Sequence, residues 1–344
     1  MTKKKVVICG ITGSQGRWVY DALKGEDEFE LVGYSRNVER AKAKLGPQIC
    51  SEIELLQGDS ADLASLQKIF KGADYVFGMT QPWSADYSYV DVESEILQGK
   101  YIVQACLDCK VKHLVFSGAA HGEEKSGLPH VDSKIDIEQM IKTSGLNYTI
   151  LMPVQFADNI GLSFFPIQPN GWIRGFVDGD AKAPYVCCRD IGLFTRAVLR
   201  NPEKYAGKSI KLIGDCIGGD EIADIVTELR TKAGSDTQTF RYYTVPRLVL
   251  RLFAHEFYLM RVYFETFGRD PVEQAKARQE IADLKKIVPE WSSVRDHLER
   301  EGWATRELIS AEEKKQLELR QKIAVVSLGV AAAGVAIAFA ARRS

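Results

Sequence analysis

Three glycines near the amino terminus are spaced so that they could hold a phosphate. Gly10, Gly13 and Gly16 form the pattern G-x-x-G-x-x-G directly after the apolar residues 6–9. Glycine lets the backbone turn tightly and lets an anion approach closely. The helix that follows would offer its first unpaired N–H groups and its dipole to that anion. The alternative is a glycine-rich turn with a purely steric role. The predicted pyrophosphate-binding residues are Gly10, Thr12, Gly13, Ser14, Gln15 and Gly16.

A cation after the second predicted strand, residues 29–35, indicates which dinucleotide would bind. Sites selective for NAD place an acidic residue here to accept a hydrogen bond from the ribose 2′-hydroxyl. This chain has Arg36 instead, and Arg40 and Lys42 follow. A guanidinium suits a 2′-phosphate, so the sequence predicts NADP(H). The alternative is that Arg36 is a solvated loop cation.

Strands and helices alternate along the first half of the chain. Strands are predicted at residues 6–9, 29–35, 54–59, 73–80, 111–118 and 147–151, with helices that include 90–108 and 131–143. Short loops in such an alternation imply an α/β fold with a doubly wound parallel sheet. Asp59, after the third strand, either contacts the adenine or caps the next helix. Asp190 is predicted to cap a later helix.

Composition and charge exclude some classes of partner. The chain has 344 residues, with 45 basic and 46 acidic side chains, so it offers no basic field for nucleic acid. Its seven cysteines are scattered, and no signal peptide is expected ahead of the first strand, which favours reduced thiols in the cytosol. The pair Cys106 and Cys109 lacks a second pair of ligands, so no metal site is predicted.

The end of the chain predicts a membrane span. Residues 304–322 are charged and form a predicted helical stalk, whereas residues 323–341 contain no charged side chain. That length approaches the roughly 20 helical residues that cross a bilayer core. The alternative is an alanine-rich helix packed on the folded domain or on a partner. A tail anchor would leave the folded domain in the cytosol, with the mitochondrial outer membrane or peroxisome favoured and the endoplasmic reticulum or chloroplast envelope open.

Taken in order, the motifs resemble the NmrA-like family of atypical short-chain dehydrogenase/reductases over residues 4–302. The resemblance implies a Rossmann core at residues 4–153 that binds NADP(H), and a small α/β substrate lobe at residues 154–303, interleaved with the core. The motifs that carry it are Gly10-x-x-Gly13-x-x-Gly16, Ser35-Arg36-Asn37, Gly58-Asp59, His113-x-x-x-Ser117, His130-x-x-x-Lys134, Met152-Pro153, Phe156-x-x-Asn159, Arg189-Asp190-Ile191-Gly192 and Tyr205-x-Gly207-Lys208.

The resemblance also suggests candidate catalytic residues. Short-chain reductases use a serine and a Y-x-x-x-K pair, in which the lysine holds the nicotinamide ribose and the tyrosine passes a proton. Here Ser117 and Lys134 match that pattern, while His130 takes the place of the tyrosine. Imidazole titrates in a range suited to acid/base work. Pro153 is carried over as a cofactor contact, and His121 is a second candidate acid.

Two main functions remain open at this point. In the first, the protein is an NADP(H)-dependent oxidoreductase that acts on a small or lipophilic, lipid-derived carbonyl or activated alkene, with aromatic residues at 162–172 lining the pocket. In the second, it is a catalytically weak NADPH/NADP redox sensor that regulates a protein partner, and Lys134 and Ser117 only bind the cofactor. A third option is a membrane scaffold with a vestigial nucleotide site.

Overall fold

The computed structural model describes residues 3–83, 89–121, 125–162, 165–235 and 237–308. The strands are β1 (Lys4–Ile8), β2 (Phe29–Ser35), β3 (Glu54–Gln57), β4 (Tyr75–Met79), β5 (His113–Ser117), β6 (Tyr148–Pro153), β7 (Gln155–Phe156), β8 (Trp172–Gly175), β9 (Ala183–Val186), β10 (Lys208–Leu212), β11 (Asp215–Ile217) and β12 (Arg241–Thr244). The helices are α1 (Ser14–Leu23), α2 (Val38–Glu52), α3 (Leu63–Phe70), α4 (Val92–Asp108), α5 (Pro129–Thr143), α6 (Cys188–Arg200), α7 (Pro202–Tyr205), α8 (Gly219–Lys232), α9 (Arg247–Phe253), α10 (His255–Arg269), α11 (Pro271–Ile287) and α12 (Val294–Arg300), and a 3₁₀ turn covers Ala157–Asn159.

A seven-stranded sheet forms the centre of the fold. Its strand order is β10-β6-β5-β4-β1-β2-β3, and every neighbouring pair is parallel. This confirms the α/β fold with a parallel, Rossmann-type sheet. The strand order reverses between β1 and β4, and in such sheets ligands bind outside the carboxyl ends of the strands at that reversal.

Alternate residues of β1 pack into two hydrophobic layers. Val6 and Ile8 face a cluster that includes residues of α1, α6 and α11, whereas Val7 and Cys9, the residue after the strand, face residues of α3, α4 and α5. Both faces of the strand are covered, which is why the run is apolar without alternation. The helices approach closely: a side chain at Gly192 of α6 would overlap the backbone of α1. The buried layers hold the carboxyl edge of the sheet in place.

The second half of the described chain adds two small sheets and a hydrophobic core of its own. One sheet has three strands in the order β11-β9-β7, and the other consists of β12 paired with β8. Residues 154–180, which show little periodicity in sequence, contain β7, the 3₁₀ turn and β8. Strands of two and four residues are too short to produce a readable pattern. Phe165 and Ile167 are buried in this core, and Trp172 packs against Tyr243.

The expectation of a membrane-held protein needs correction. Among the residues that the structure describes, no helix is both long enough and apolar enough to cross a bilayer. The predicted span at residues 323–341, and the part of the predicted stalk beyond residue 308, lie outside the described residues. For the part of the chain that the structure describes, the expected membrane localisation is therefore contradicted, and a transmembrane helix has no support there.

Candidate functional site

The glycine motif forms a tight turn between β1 and α1 at the point where the strand order reverses. Gly10 has a φ of +67°, a conformation that favours glycine, and its carbonyl accepts a hydrogen bond from the Gly13 N–H at 2.8 Å. Within α1 the Arg17 N–H is bonded to the Gly13 carbonyl at 3.0 Å. The helix geometry therefore leaves the N–H groups of residues 14–16 directed toward the edge of the sheet, where they can hold an anion.

Gly16 allows this turn to close. A Cβ atom on Gly16 would overlap the carbonyl oxygen of Gly10 and lie 2.7 Å from the backbone nitrogen of Ile11. Both obstacles are backbone atoms, which cannot move aside without opening the turn. Gly13 is less confined, since a Cβ there would lie 3.3 Å from the Gly10 oxygen. The tight closure of this turn therefore depends on glycine at position 16.

The residues expected near the adenine ribose lie at the ends of β2 and β3. Arg36 is exposed, as a residue that meets a phosphate should be. Lys42 pairs with Glu39 at 3.0 Å, so its positive charge is offset locally. The Asp59 carboxylate accepts from the Ala61 N–H at 3.0 Å.

The helix after β3 has its own cap. Asp62 accepts hydrogen bonds from the N–H groups of Ala64 and Ser65 at 3.0 and 3.2 Å. Of the two alternatives for Asp59, the helix cap is therefore excluded, and the adenine contact stays a prediction.

Ser117, at the end of β5, is buried and points across the sheet edge. Its hydroxyl donates to the side-chain oxygen of Gln15 at 2.6 Å. The structure therefore brings a predicted catalytic residue into direct contact with a predicted phosphate-loop residue. Pro153, also predicted as a cofactor contact, is buried at the end of β6, and its carbonyl accepts from the Ala120 N–H at 2.9 Å.

Lys134 extends from α5 into a buried polar network beside the end of β4. Its ammonium donates to the carbonyl oxygen of Thr80 at 2.9 Å, to the hydroxyl of the same residue at 2.6 Å, and to the Glu95 carboxylate at 2.7 Å. Glu95 also accepts from the hydroxyls of Thr80, at 2.8 Å, and Ser133. The three contacts of Lys134 match the three N–H groups of an ammonium. In this conformation the lysine is held by protein atoms.

Burial and charge act in opposite directions on Lys134. Desolvation lowers its pKa below the usual 10.5, and the charge of Glu95 and its hydrogen bond raise the value only in part. Glu95 is fully buried, so the two charges are separated from water together. A buried pair of this kind is costly to break from either side.

His130, one helical turn before Lys134, faces the second half of the chain. Its Nδ1 atom contacts the Oε1 atom of Glu256 in the first turn of α10. The centroid of the Trp83 ring lies 5.9 Å from that of the imidazole. The Trp83 ring also stacks on Phe257, with 6.3 Å between the ring centroids. His130 and Lys134 thus share the carboxyl edge of the sheet but have different partners. The other candidate acid, His121, pairs with Glu138 at 2.9 Å.

Two acidic residues of this site were not expected from the sequence. Glu95 carried a readable signal, because it lies on the same face of α4 as the buried residues Gly99, Ile102 and Cys106. A carboxylate on an apolar helix face must find a partner inside the fold. Glu256 carried no such signal, because it is 126 positions away from His130 in the chain. Only the folded chain brings these two residues together.

The geometry agrees with what sequence comparison finds. Residues 2–298 match the NmrA-like family, and the chain belongs to it. One relative is the NmrA-like family domain-containing protein DDB_G0286605 of Dictyostelium discoideum. It is 26% identical over 246 residues, which cover 67% of this chain and 78% of the relative.

Solved structures share the fold. A triphenylmethane reductase from Citrobacter sp., crystallised with NADP(H), superposes with a TM-score of 0.63 at 22% identity, covering 86% of this chain and 99% of the other. NmrA, described as a negative transcriptional regulator and crystallised with NADP, has a TM-score of 0.67 at 16% identity, covering 92% and 98%. The same regulator has also been crystallised with NAD. At these identities the likeness shows the fold alone.

Proposed function

We propose that this protein is a nicotinamide-dinucleotide-dependent oxidoreductase that reduces a small or lipophilic carbonyl or activated alkene. The observation that carries the proposal is the meeting of two features at one edge of the sheet. The glycine cradle of residues 10–16 offers unpaired N–H groups, and His130 and Lys134 lie on the helix that follows β5. An anion site next to an acid/base candidate is the arrangement that cofactor-dependent reduction requires.

The residues of the cradle fit a dinucleotide. The N–H groups of residues 14–16 would hold the pyrophosphate, and glycine at position 16 lets the turn that presents them close against Gly10. Arg36 would bind the 2′-phosphate, and Asp59 would contact the adenine. Pro153 would line the nicotinamide side. The cofactor supplies a hydride, and the protein supplies orientation and the proton.

Within this proposal the side chains divide the work. His130 would give a proton to the substrate oxygen, and the hydroxyl of Ser117 would polarise the carbonyl. Lys134 would hold the nicotinamide ribose by exchanging one of its three present contacts, with Thr80 and Glu95, for a ribose hydroxyl. Trp83 and Phe257 offer apolar surface to a flat or lipophilic substrate beside His130.

The preference for NADP(H) is tested by calorimetry with Arg36→Ala. Loss of a charge-assisted hydrogen bond costs about 1.5–3 kcal/mol, so we expect NADPH to bind about 10- to 100-fold more weakly while NADH binding is unchanged. The matched control is Lys42→Ala, since that cation is already paired with Glu39. Equal and negligible heats for both coenzymes with the unmodified protein would remove the whole proposal.

The reductase activity is tested with NADPH and a panel of menadione, 2-cyclohexenone and 4-nitrobenzaldehyde. We expect turnover of at least one panel member and its loss in Lys134→Met. Absence of turnover in protein that binds NADPH would instead favour the second candidate, a redox sensor that binds a protein partner. That candidate is supported by Lys134 and Ser117, whose donors already meet protein acceptors. It predicts that NADPH and NADP change the affinity for the partner.

A further inference from the structure

A contact between His130, the proposed acid, and Glu256 joins the parallel-sheet core to the helices in the second half of the chain. His130 is the second residue of α5, and Glu256 is the second residue of α10. Their side chains are only 18% and 16% exposed, and Nδ1 of the imidazole meets Oε1 of the carboxylate. An ionised carboxylate can only accept a hydrogen bond. An ionised Glu256 therefore requires the hydrogen of this contact to lie on Nδ1.

We infer that Glu256 is a positioning residue for the proton transfer by His130. It fixes the tautomer with hydrogen on Nδ1 and directs Nε2 toward the substrate. In histidine, the hydrogen bond that one ring nitrogen makes decides the state of the other nitrogen. The inference rests on the proposed function, and it gives the site a second residue of α10 beside Phe257.

Aromatic packing holds the imidazole in the same orientation. The ring of Trp83 lies against the imidazole of His130, with an angle of 31° between the two ring planes. Phe257, which follows Glu256 in the chain, stacks on Trp83 with an angle of 26° between the ring planes. Phe257 in turn meets Phe176 edge-on at 5.4 Å. Two residues in the first turn of α10 therefore hold His130 in place. Glu256 does so through its carboxylate, and Phe257 does so by stacking on Trp83. A ring held on two sides loses little entropy when it transfers a proton.

The proton balance is simple. In carbonyl reduction, the carbonyl carbon gains a hydride from the reduced coenzyme, which becomes oxidised. The carbonyl oxygen gains a proton from Nε2 of the His130 imidazolium, and an alcohol is formed. The imidazole ends neutral with its hydrogen still on Nδ1, where Glu256 accepts it. Glu256 changes neither its charge nor its protonation, so it is not itself a catalytic residue.

The test combines spectroscopy and kinetics on the full chain. Long-range ¹⁵N–¹H correlation spectra of the neutral imidazoles report which nitrogen carries the hydrogen, and His130→Gln identifies the signals among the five histidines. We expect hydrogen on Nδ1 in the unmodified protein and on Nε2 in Glu256→Leu. Glu256→Gln should keep the Nδ1 form, since its amide oxygen still accepts.

The expected change in kcat follows from the rate enhancement that a general acid provides. With the panel substrate that turns over, we expect kcat of Glu256→Leu to fall at least about tenfold, within the 10²- to 10⁴-fold contribution of such an acid. Glu256→Gln should recover part of that loss, and NADPH affinity should stay within about twofold. The matched control is Glu273→Gln, which removes a partly exposed carboxylate from the first turn of α11.

The outcomes separate the two proposals. A changed tautomer together with a lower kcat supports the inference. An unchanged tautomer, or an unchanged kcat in a Glu256→Leu protein with a normal circular dichroism spectrum, overturns the inference and leaves the proposed function standing. Absence of turnover in the unmodified protein overturns the proposed function, and the positioning role falls with it.

Discussion

At the scale of single residues, the buried pair Glu95 and Lys134 decides how the candidate site is built. The carboxylate has no exposed surface and receives hydrogen bonds from Lys134, Thr80 and Ser133. Removing one charge would leave the other without a partner in a medium of low dielectric constant. The pair therefore ties α4 and α5 to the end of β4.

Glu95→Gln should consequently destabilise the fold. We expect the free energy of unfolding, measured by urea titration, to fall by about 3–5 kcal/mol because the Lys134 ammonium stays buried and unpaired. The double variant Glu95→Gln with Lys134→Met should recover much of that loss, since both charges are then absent. The control Glu39→Gln, in an exposed pair with Lys42, should change stability by less than about 1 kcal/mol. Equal effects of Glu95→Gln and Glu39→Gln would contradict the role given to burial.

At the scale of elements, the turn from β1 into α1 determines whether an anion can bind. The cradle depends on backbone geometry: Gly10 takes a positive φ, and Gly16 lies against the Gly10 carbonyl. Side chains contribute little to the shape of this turn, because its N-cap, Gly13, has no side chain to bond with. Affinity for a phosphate should therefore respond to a single added methyl group.

Gly16→Ala and Gly13→Ala form a matched pair for this element. Both add one methyl group, but only the Gly16 methyl would overlap a backbone oxygen, whereas the Gly13 methyl would lie 3.3 Å from it. We expect calorimetry to show NADPH binding reduced about tenfold or more by Gly16→Ala and only slightly by Gly13→Ala. The same order should appear in thermal midpoints. If the two variants bound NADPH equally well, the cradle would not be the binding site.

At the scale of the whole molecule, a second charged network holds α10 against the small sheets. Arg261, 5% exposed, donates to the Glu265 carboxylate at 2.6 Å and to the Val245 carbonyl at 2.8 Å, and it also contacts Asp178. Burial opposes ionisation of Asp178, but hydrogen bonds from Arg269 and the charge of Arg261 lower its pKa below the usual range. Because α10 also carries Glu256, this network supports the proposed proton donor from a distance.

Arg261→Met should therefore separate substrate use from cofactor binding. We expect faster hydrogen exchange across residues 247–269 and a higher KM for the panel substrate, because α10 loses its anchor. NADPH affinity should stay within about twofold, since the glycine cradle belongs to the other half of the chain. Arg269→Met, on the same helix but 48% exposed, is the control and should change exchange little. A loss of NADPH affinity in Arg261→Met as large as the rise in KM would show that the halves are not separable in this way.

The prediction that Asp190 caps a helix is wrong. Its position before an amphipathic run predicts a helix cap, yet α6 begins at Cys188 with Cys187 as its N-cap. The Asp190 carboxylate is buried and accepts from the N–H and hydroxyl of Ser292 at 2.9 and 3.0 Å. Desolvation raises its pKa to about 6, and the hydrogen bonds from Ser292 oppose that rise. The spacing of residues around Asp190 cannot indicate a hydrogen-bond partner that lies 102 positions away in the chain.

Features that depend on neighbouring residues could be predicted from the sequence. Apolar runs, the glycine spacing and the alternation of strands and helices were enough for the parallel sheet, because hydrophobic period and turn chemistry act over a few residues. The resemblance carried by ordered motifs was likewise enough for the family. The contacts of Lys134 with Glu95 and of His130 with Glu256 are visible only in the folded chain. Buried charges choose their partners by proximity in the folded state, where water no longer competes, and that proximity is not encoded in separation along the chain.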